Sequence, residues 1–412
     1  MLLSRLLEKS LTLSEISFLS ISNEGLMQIA ASNCGHSLRM IKARFSNNSL
    51  EAIQSLCQAC PKLLHLSLDF SFALIRFCSN ELILTIARYC PYLEVLSTHG
   101  LYMTDTAVKA LANIHTLKEL NLLKSHAACS SQAVQCVLKS NPHIERIYLR
   151  GSYIDDALVR CIGCCSGNLK ILTVFKDDLP IFNENALQDL FRGCPLLEVV
   201  KLRQQGGISI AILRAIFACC HHLIDLGVAI SEAPDLLVLH AEPVLQTLYP
   251  SLSKLQFAGG DVADRALRDI FTYCTNLQEV KLDHCITDAT MKVLVQHCAM
   301  INILELTNCK RLSIAGILLL ATNSSNLIDL SIWDTVINNE VLIQLSLYCH
   351  NLSSLRLNGG YVMDEGIMCI LERCTCLTIL SIRNNMIPHP LHPILDLMQQ
   401  GLLYPHIEFM LW

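Results

Sequence analysis

Leu277-Gln-Glu-Val-Lys-Leu-Asp-His-Cys-Ile-Thr-Asp-Ala-Thr-Met-Lys-Val-Leu-Val-Gln-His-Cys298 is the stretch on which the chain is built. Its first half alternates: Val280 and Leu282 flank Lys281, so a short strand buries one face and shows the other. Thr287-Asp288 then supplies side-chain oxygens to start a helix, whose apolar stripe is expected to be Met291, Val293, Leu294 and Cys298. One strand and one helix, roughly 25 residues together, cannot enclose both apolar faces without neighbours.

The chain supplies those neighbours by repetition. The position of Leu277 recurs at Leu13, Leu38, Leu63, Leu93, Leu117, Ile144, Leu169, Leu197, Leu223, Leu252, Ile301, Leu327, Leu352 and Leu377, at intervals of 24 to 30 residues. The two strand anchors return with it, as Leu66/Leu68, Ile147/Leu149, Leu172/Val174, Leu304/Leu306 and Leu355/Leu357, and weaken only at Ala43 and Thr98. Period and pattern are those of a leucine-rich repeat. The expected fold is therefore an α/β solenoid, a horseshoe with a parallel concave sheet and convex helices. It is expected to run as one domain over 1–412, with half-repeats at 1–12 (Leu3, Leu6, Leu7) and 407–412 (Ile407, Met410, Trp412).

Composition agrees with a ladder of buried leucines. Hydrophobic residues make up 52% of the chain and the mean hydropathy is +0.42, yet no apolar run approaches the roughly 20 residues of a spanning helix. The net charge of −5 gives no general attraction to nucleic acid or anionic lipid, so neither is expected as a partner. Of 21 cysteines, ten are read at one repeat position, the helix end: Cys34, Cys60, Cys90, Cys165, Cys194, Cys220, Cys274, Cys298, Cys349 and Cys374. Cys285 and Cys309 mark a second, just after the strand. Cysteine placed by phase, not by pair, acts as a small buried hydrophobe, which implies a reducing compartment, cytoplasm or nucleus. Three repeats run long, around Asp69–Ser79, Ala229–Pro243 and Asn384–Pro405.

The consensus Cys-x-x-Leu-x-x-Leu-x-Leu-x-x-Cys-x-x-Ile-Thr-Asp-x-x-Leu-x-x-Leu-x-x-x-Cys, matched almost letter for letter by Cys274 to Cys298, resembles the cysteine-containing repeats of F-box/leucine-rich-repeat proteins. The Cys-Pro-x-Leu openings at Cys60, Cys90 and Cys194 resemble them too. In that family the concave face holds a substrate protein for ubiquitination and an F-box docks the rest of the ligase. The resemblance implies substrate recognition in a ubiquitin-ligase assembly; the F-box itself is not matched by these residues.

No motif carries chemistry. Cys219-Cys220-His221-His222 looks like a metal cluster, but neighbours in sequence cannot all point at one ion, so no metal is expected. Cys57-x-x-Cys60 and Cys161-x-x-Cys164 have redox spacing but stand at helix ends, where no dipole lowers a thiol pKa. His389 and His392 belong to a Pro-rich insertion. Neither a cofactor nor an enzyme activity is expected. What remains is the exposed strand face: Lys124, Arg146, Tyr148, Arg150, Phe175, Lys176, Lys201 and Arg203 as a basic region, then Glu279, Asp283, His284, Glu305, Asp329, Trp333 and Asp334 as an acidic one. Tyr, Trp and Arg are enriched at binding hot spots, so a protein partner on this face is the first expectation. A receptor for a polyphosphate-like anion and a structural or cytoskeletal interaction protein are the alternatives.

Overall fold

The computed structural model describes residues 14–32, 35–45, 50–69, 79–99, 101–123, 126–176, 182–231, 243–360, 362–383, 404 and 406–411. Lys124, Cys34, the 1–12 half-repeat, Trp412, His389, His392 and most of the three insertions lie outside them. The chain divides into two compact units, 1–205 with 218–222, and 206–217 with 223–412.

In the first unit the parallel strands run in chain order: β1 (Glu15–Ile21), β2 (Met40–Phe45), β3 (His65–Asp69), β4 (Val95–His99), β6 (Glu119–Asn121), β8 (Arg146–Arg150), β9 (Ile171–Lys176) and β10 (Val199–Gln204). A separate pair, β5 (Tyr102–Thr104) and β7 (His126–Ala128), joins two of the connections. The second unit repeats the arrangement with β11 (Asp225–Ala229), β12 (Lys254–Ala258), β13 (Glu279–Asp283), β14 (Ile303–Thr307), β15 (Asp329–Trp333), β16 (Ser354–Asn358), β17 (Ile379–Arg383) and β18 (Glu408–Leu411). Each unit is a leucine-rich-repeat solenoid, as the period predicts.

Alternation sets the architecture. Leu255, Val280, Leu304, Leu330, Leu355 and Leu380 stand in one cross-strand row, and Phe257, Leu282, Leu306, Ile332, Leu357 and Ile382 in another. All twelve are at most 2% exposed. Helices such as Asp288–His297 close the core from the other side. Its buried residues are Thr290, Met291 and Leu294, whereas Val293 is half-buried. Thr290 takes the inner place because its hydroxyl reaches the Asp264 carbonyl oxygen at 3.3 Å.

The helix starts do more than cap themselves. Thr287 makes no side-chain cap bond in its own helix; its N–H and hydroxyl both donate to Asp264 Oδ1 of the preceding repeat, each at 2.9 Å. Ser313 clasps Asp288 in the same way, at 2.8 and 2.6 Å, and Ser130 clasps Asp105. Burial alone would raise the Asp264 carboxyl pKa, but hydrogen bonds from Thr290, Thr287 and Arg268 outweigh it and hold it below the usual value. These three acids therefore staple their own repeats to the next.

The cysteines form a second staple. Cys298 Sγ donates to the Phe271 and Cys274 carbonyl oxygens at 3.4 and 3.7 Å, and Cys349 to those of Ala321 and Ser324 at 3.6 and 3.3 Å. Each thiol so answers carbonyls left over at the preceding helix end. Burial pushes the Cys274, Cys298 and Cys349 thiols up to about 12. Cys165 does not hold this position: Ser166, three residues before Leu169, is the fully buried one, and Cys165 is half-exposed. The one-residue offset follows from spacing, since Cys274 and Cys298 stand three residues before their leucine or isoleucine and Cys165 stands four before Leu169.

Candidate functional site

The helix-free face of each unit is built from the residues between and beside the core anchors. On β8, β9 and β10 the strand pairing sets Arg150 opposite Phe175 and Phe175 opposite Arg203. One step back along the strands, Tyr148, Thr173 and Lys201 make the next row. Neighbouring strands lie about 4.8 Å apart, so the two rows form one surface. Arg150 and Arg203 are exposed, Phe175, Tyr148 and Lys201 half-buried. Burial first, and then the Glu119 charge, raise the Tyr148 hydroxyl pKa, against the opposing pull of Arg146.

Two members of the expected basic region stand apart from this surface. Arg146 is bound to Glu119 of the adjacent strand, Nε to Oε2 at 2.8 Å. Lys176 is 5% exposed. Its ammonium donates to the Ile154 carbonyl oxygen and lies 5.2 Å from the centre of the Phe182 ring. The reason is parity: successive strand residues point to opposite faces, so Phe175 and Lys176 cannot share one, and Lys176 follows Leu172 and Val174 inward.

In the second unit Glu279, Glu305 and Asp329, expected as part of a negative region, are met by cations. Lys254 reaches Glu279 at 3.0 Å, and Lys281 bridges Glu279 at 3.3 Å and Glu305 at 3.6 Å. Arg356 Nη1 lies 3.0 and 2.9 Å from the two oxygens of Asp329. Asp283 accepts from Asn308 Nδ2 at 3.2 Å and stands 3.6 Å from His284. His284 and Asp334 are exposed and hold φ of 59° and 52°, the position occupied by Gly359 one repeat later. Left-handed backbone is tolerated best by Gly, Asn, Asp and His, so the turn, together with any ligand, selects these residue types. Trp333 is half-buried and pairs in register with Asn358, which pairs with Arg383. Sequence reasoning missed Lys254, Lys281 and Arg356, although laying one repeat over the next places each beside its acid.

Elsewhere, Cys220 is buried in the core while His221 and His222 are exposed, so the Cys-Cys-His-His run does not converge. Among the described residues no group of three or more His, Cys, Asp or Glu is placed to hold a metal ion, and no helix is long and apolar enough to cross a membrane. Cys161 and Cys165 bring their sulfurs to 3.8 Å within one helix.

No protein-family model matches the chain, and no curated protein does. Among solved structures it is similar to Rad7 from the yeast Rad7–Elc1 complex, at 16% identity and a TM-score of 0.50, over 80% of this chain and 81% of that one. It is also similar to an internalin (inlF) of Listeria monocytogenes, at 14% identity and a TM-score of 0.44, over 89% of each chain. At 16% identity the likeness to Rad7 speaks for the fold alone.

Proposed function

We propose that this chain is a non-catalytic protein-binding scaffold whose partner lies on the β8–β10 face, and that it serves substrate recognition in a ubiquitin-ligase assembly. The observation that carries the reading is the row Arg150–Phe175–Arg203, an aromatic side chain between two exposed guanidinium groups on a rigid sheet. Arginine and aromatic side chains dominate interface energetics, and a parallel sheet fixes the spacing of their backbones before binding. The row contains no acid, so the complementary surface is acidic. The ligase role comes from the cysteine-repeat resemblance, and the neighbouring Rad7 structure was solved bound to another protein, Elc1. The free thiols of the described cysteines suit the cytoplasm or nucleus.

Affinity purification with mass spectrometry, run on the wild type and on the double variant Arg150→Glu/Arg203→Glu, tests the proposal. Neither side chain belongs to the core, so thermal unfolding should stay unchanged. Reversal of two hot-spot charges should weaken the partner by about 30-fold or more. Partners recovered equally with both proteins would remove the site. A melting temperature raised by polyphosphate, with no partner lost in the variant, would replace the scaffold with an anion receptor. Recovery of cullin-type adaptors decides the ligase role.

A further inference from the structure

A second place on the molecule, wholly within the second unit, is built unlike a solvated surface. On β16, Ser354 and Asn358 lie on the helix-free face yet are only 4% and 8% exposed. Ser354 Oγ and Asn358 Oδ1 are buried with no hydrogen-bond partner. Orphaned polar atoms of this kind are disfavoured in a folded protein, and one strand here holds two. Between them Arg356 is engaged by both oxygens of Asp329, which leaves the middle of the track neutral. Ser331 and Ser381 flank Arg356 in register, while Trp333 and Arg383 flank Asn358.

We propose that this face of β15–β17 binds an extended, uncharged polar segment of a partner protein, with a side-chain amide of that segment seated at Asn358 between Trp333 and Arg383. The reach selects a peptide over a small molecule: Ser354 and Asn358 are four residues apart, about 13 Å along a strand, the span of a four-residue extended stretch. The chemistry selects an amide. Asn358 Oδ1 needs an N–H donor, the flanking indole and guanidinium are planar and stack on planar groups, and the Arg356–Asp329 pair in the middle of the track gives a net charge no advantage there. Because β16 is hydrogen-bonded on both sides, the segment lies on the face, along β16, instead of joining the sheet as a strand. The two orphan atoms are covered in the free protein, so binding moves the flanking side chains, and Trp333 reports the event. The proposal is independent of the β8–β10 site.

The test uses the full chain against an arrayed library of eight-residue peptides, with Asn358→Leu, Ser354→Ala and their combination as variants. The wild type should capture peptides rich in Asn and Gln, with a change in Trp333 fluorescence that Trp333→Phe abolishes. Each variant should lose at least tenfold in affinity while its melting temperature holds or rises, because the substitution removes an unsatisfied buried group. Arg150→Glu/Arg203→Glu should leave capture unchanged. Absence of capture, capture indifferent to Asn358 and Ser354, or a lowered melting temperature in both single variants would overturn the proposal; the last would make these groups part of the fold. Peptides lost only in the arginine double variant would overturn it while sustaining the β8–β10 site.

Discussion

Gly193 is the residue at which a single methyl group should be felt most. It ends the helix Glu184–Gly193, which packs on Asp156–Cys165, and a Cβ built there would sit 2.0 Å from the Gly163 carbonyl oxygen and 2.6 Å from its carbon. Both are backbone atoms and cannot rotate away. Restoring an ordinary contact means parting the helices by about 1 Å. Over a contact roughly 15 Å long and 8 Å wide that opens about 120 Å³, or about 3 kcal/mol at the usual cavity cost. Alanine returns up to about 1 kcal/mol of helix propensity, so Gly193→Ala should lose about 2 kcal/mol net. For a unit of this size that is a fall of about 4–8 °C in Tm. Gly167→Ala is the control, since a Cβ there meets nothing within 4 Å. Urea and thermal unfolding of both variants check the reasoning. An unchanged or raised Tm for Gly193→Ala would show that the helices separate freely and that the two glycines do not set their distance.

Two further outcomes follow from the staples. Ser166 occupies the cysteine position with its hydroxyl buried and unpartnered, so Ser166→Cys should stabilise by about 1 kcal/mol in urea unfolding; a loss would mean that the hydroxyl has a partner in solution. Asp264 and Asp105 have carboxyl pKa values lowered in the fold. For Asp105 the cause is first the Ser130 N–H and then its hydroxyl. A carboxylate with a depressed folded pKa contributes stability above its unfolded value, near 3.8, and loses it as pH falls through the folded value. Stability should thus drop below about pH 4, and Asp264→Asn should flatten that drop in an acid titration followed by circular dichroism; an equally steep profile would dismiss the clasp.

The sequence made the fold legible because one period states both the strand and the helix. Val280 and Leu282 could be named as core from their alternation alone, and both are at most 1% exposed. Two errors share a cause, a phase slipped by one residue. Cys165 was placed where Ser166 sits, and Lys176 was placed on the face that belongs to Phe175. In a strand one residue is a whole face, and at a helix end it is the difference between a carbonyl-facing corner and solvent. The ion pairs were harder to read for another reason. Lys254 and Glu279 are 25 residues apart in sequence, and only the register of adjacent repeats makes them neighbours.

That register also explains where the working surfaces fall. Each strand carries two interleaved sets of side chains, and the set facing the helices is fixed by stacking. The other set is free to vary, but it still meets its counterpart about 4.8 Å away on the next repeat. Where the counterparts are opposite charges, as along Lys254, Glu279, Lys281 and Glu305, the surface satisfies itself and gains little from a partner. Two rows are composed differently. Arg150–Phe175–Arg203 sets two cations about an aromatic ring without an acid in the row, and Trp333–Asn358–Arg383 leaves a buried acceptor without a donor. On this sheet a binding site has to use the set of side chains that stacking leaves open. Both surfaces lie in that set and offer different chemistry, one two exposed guanidinium groups about an aromatic ring and one an unmet hydrogen bond, so a variant in either should leave the other intact.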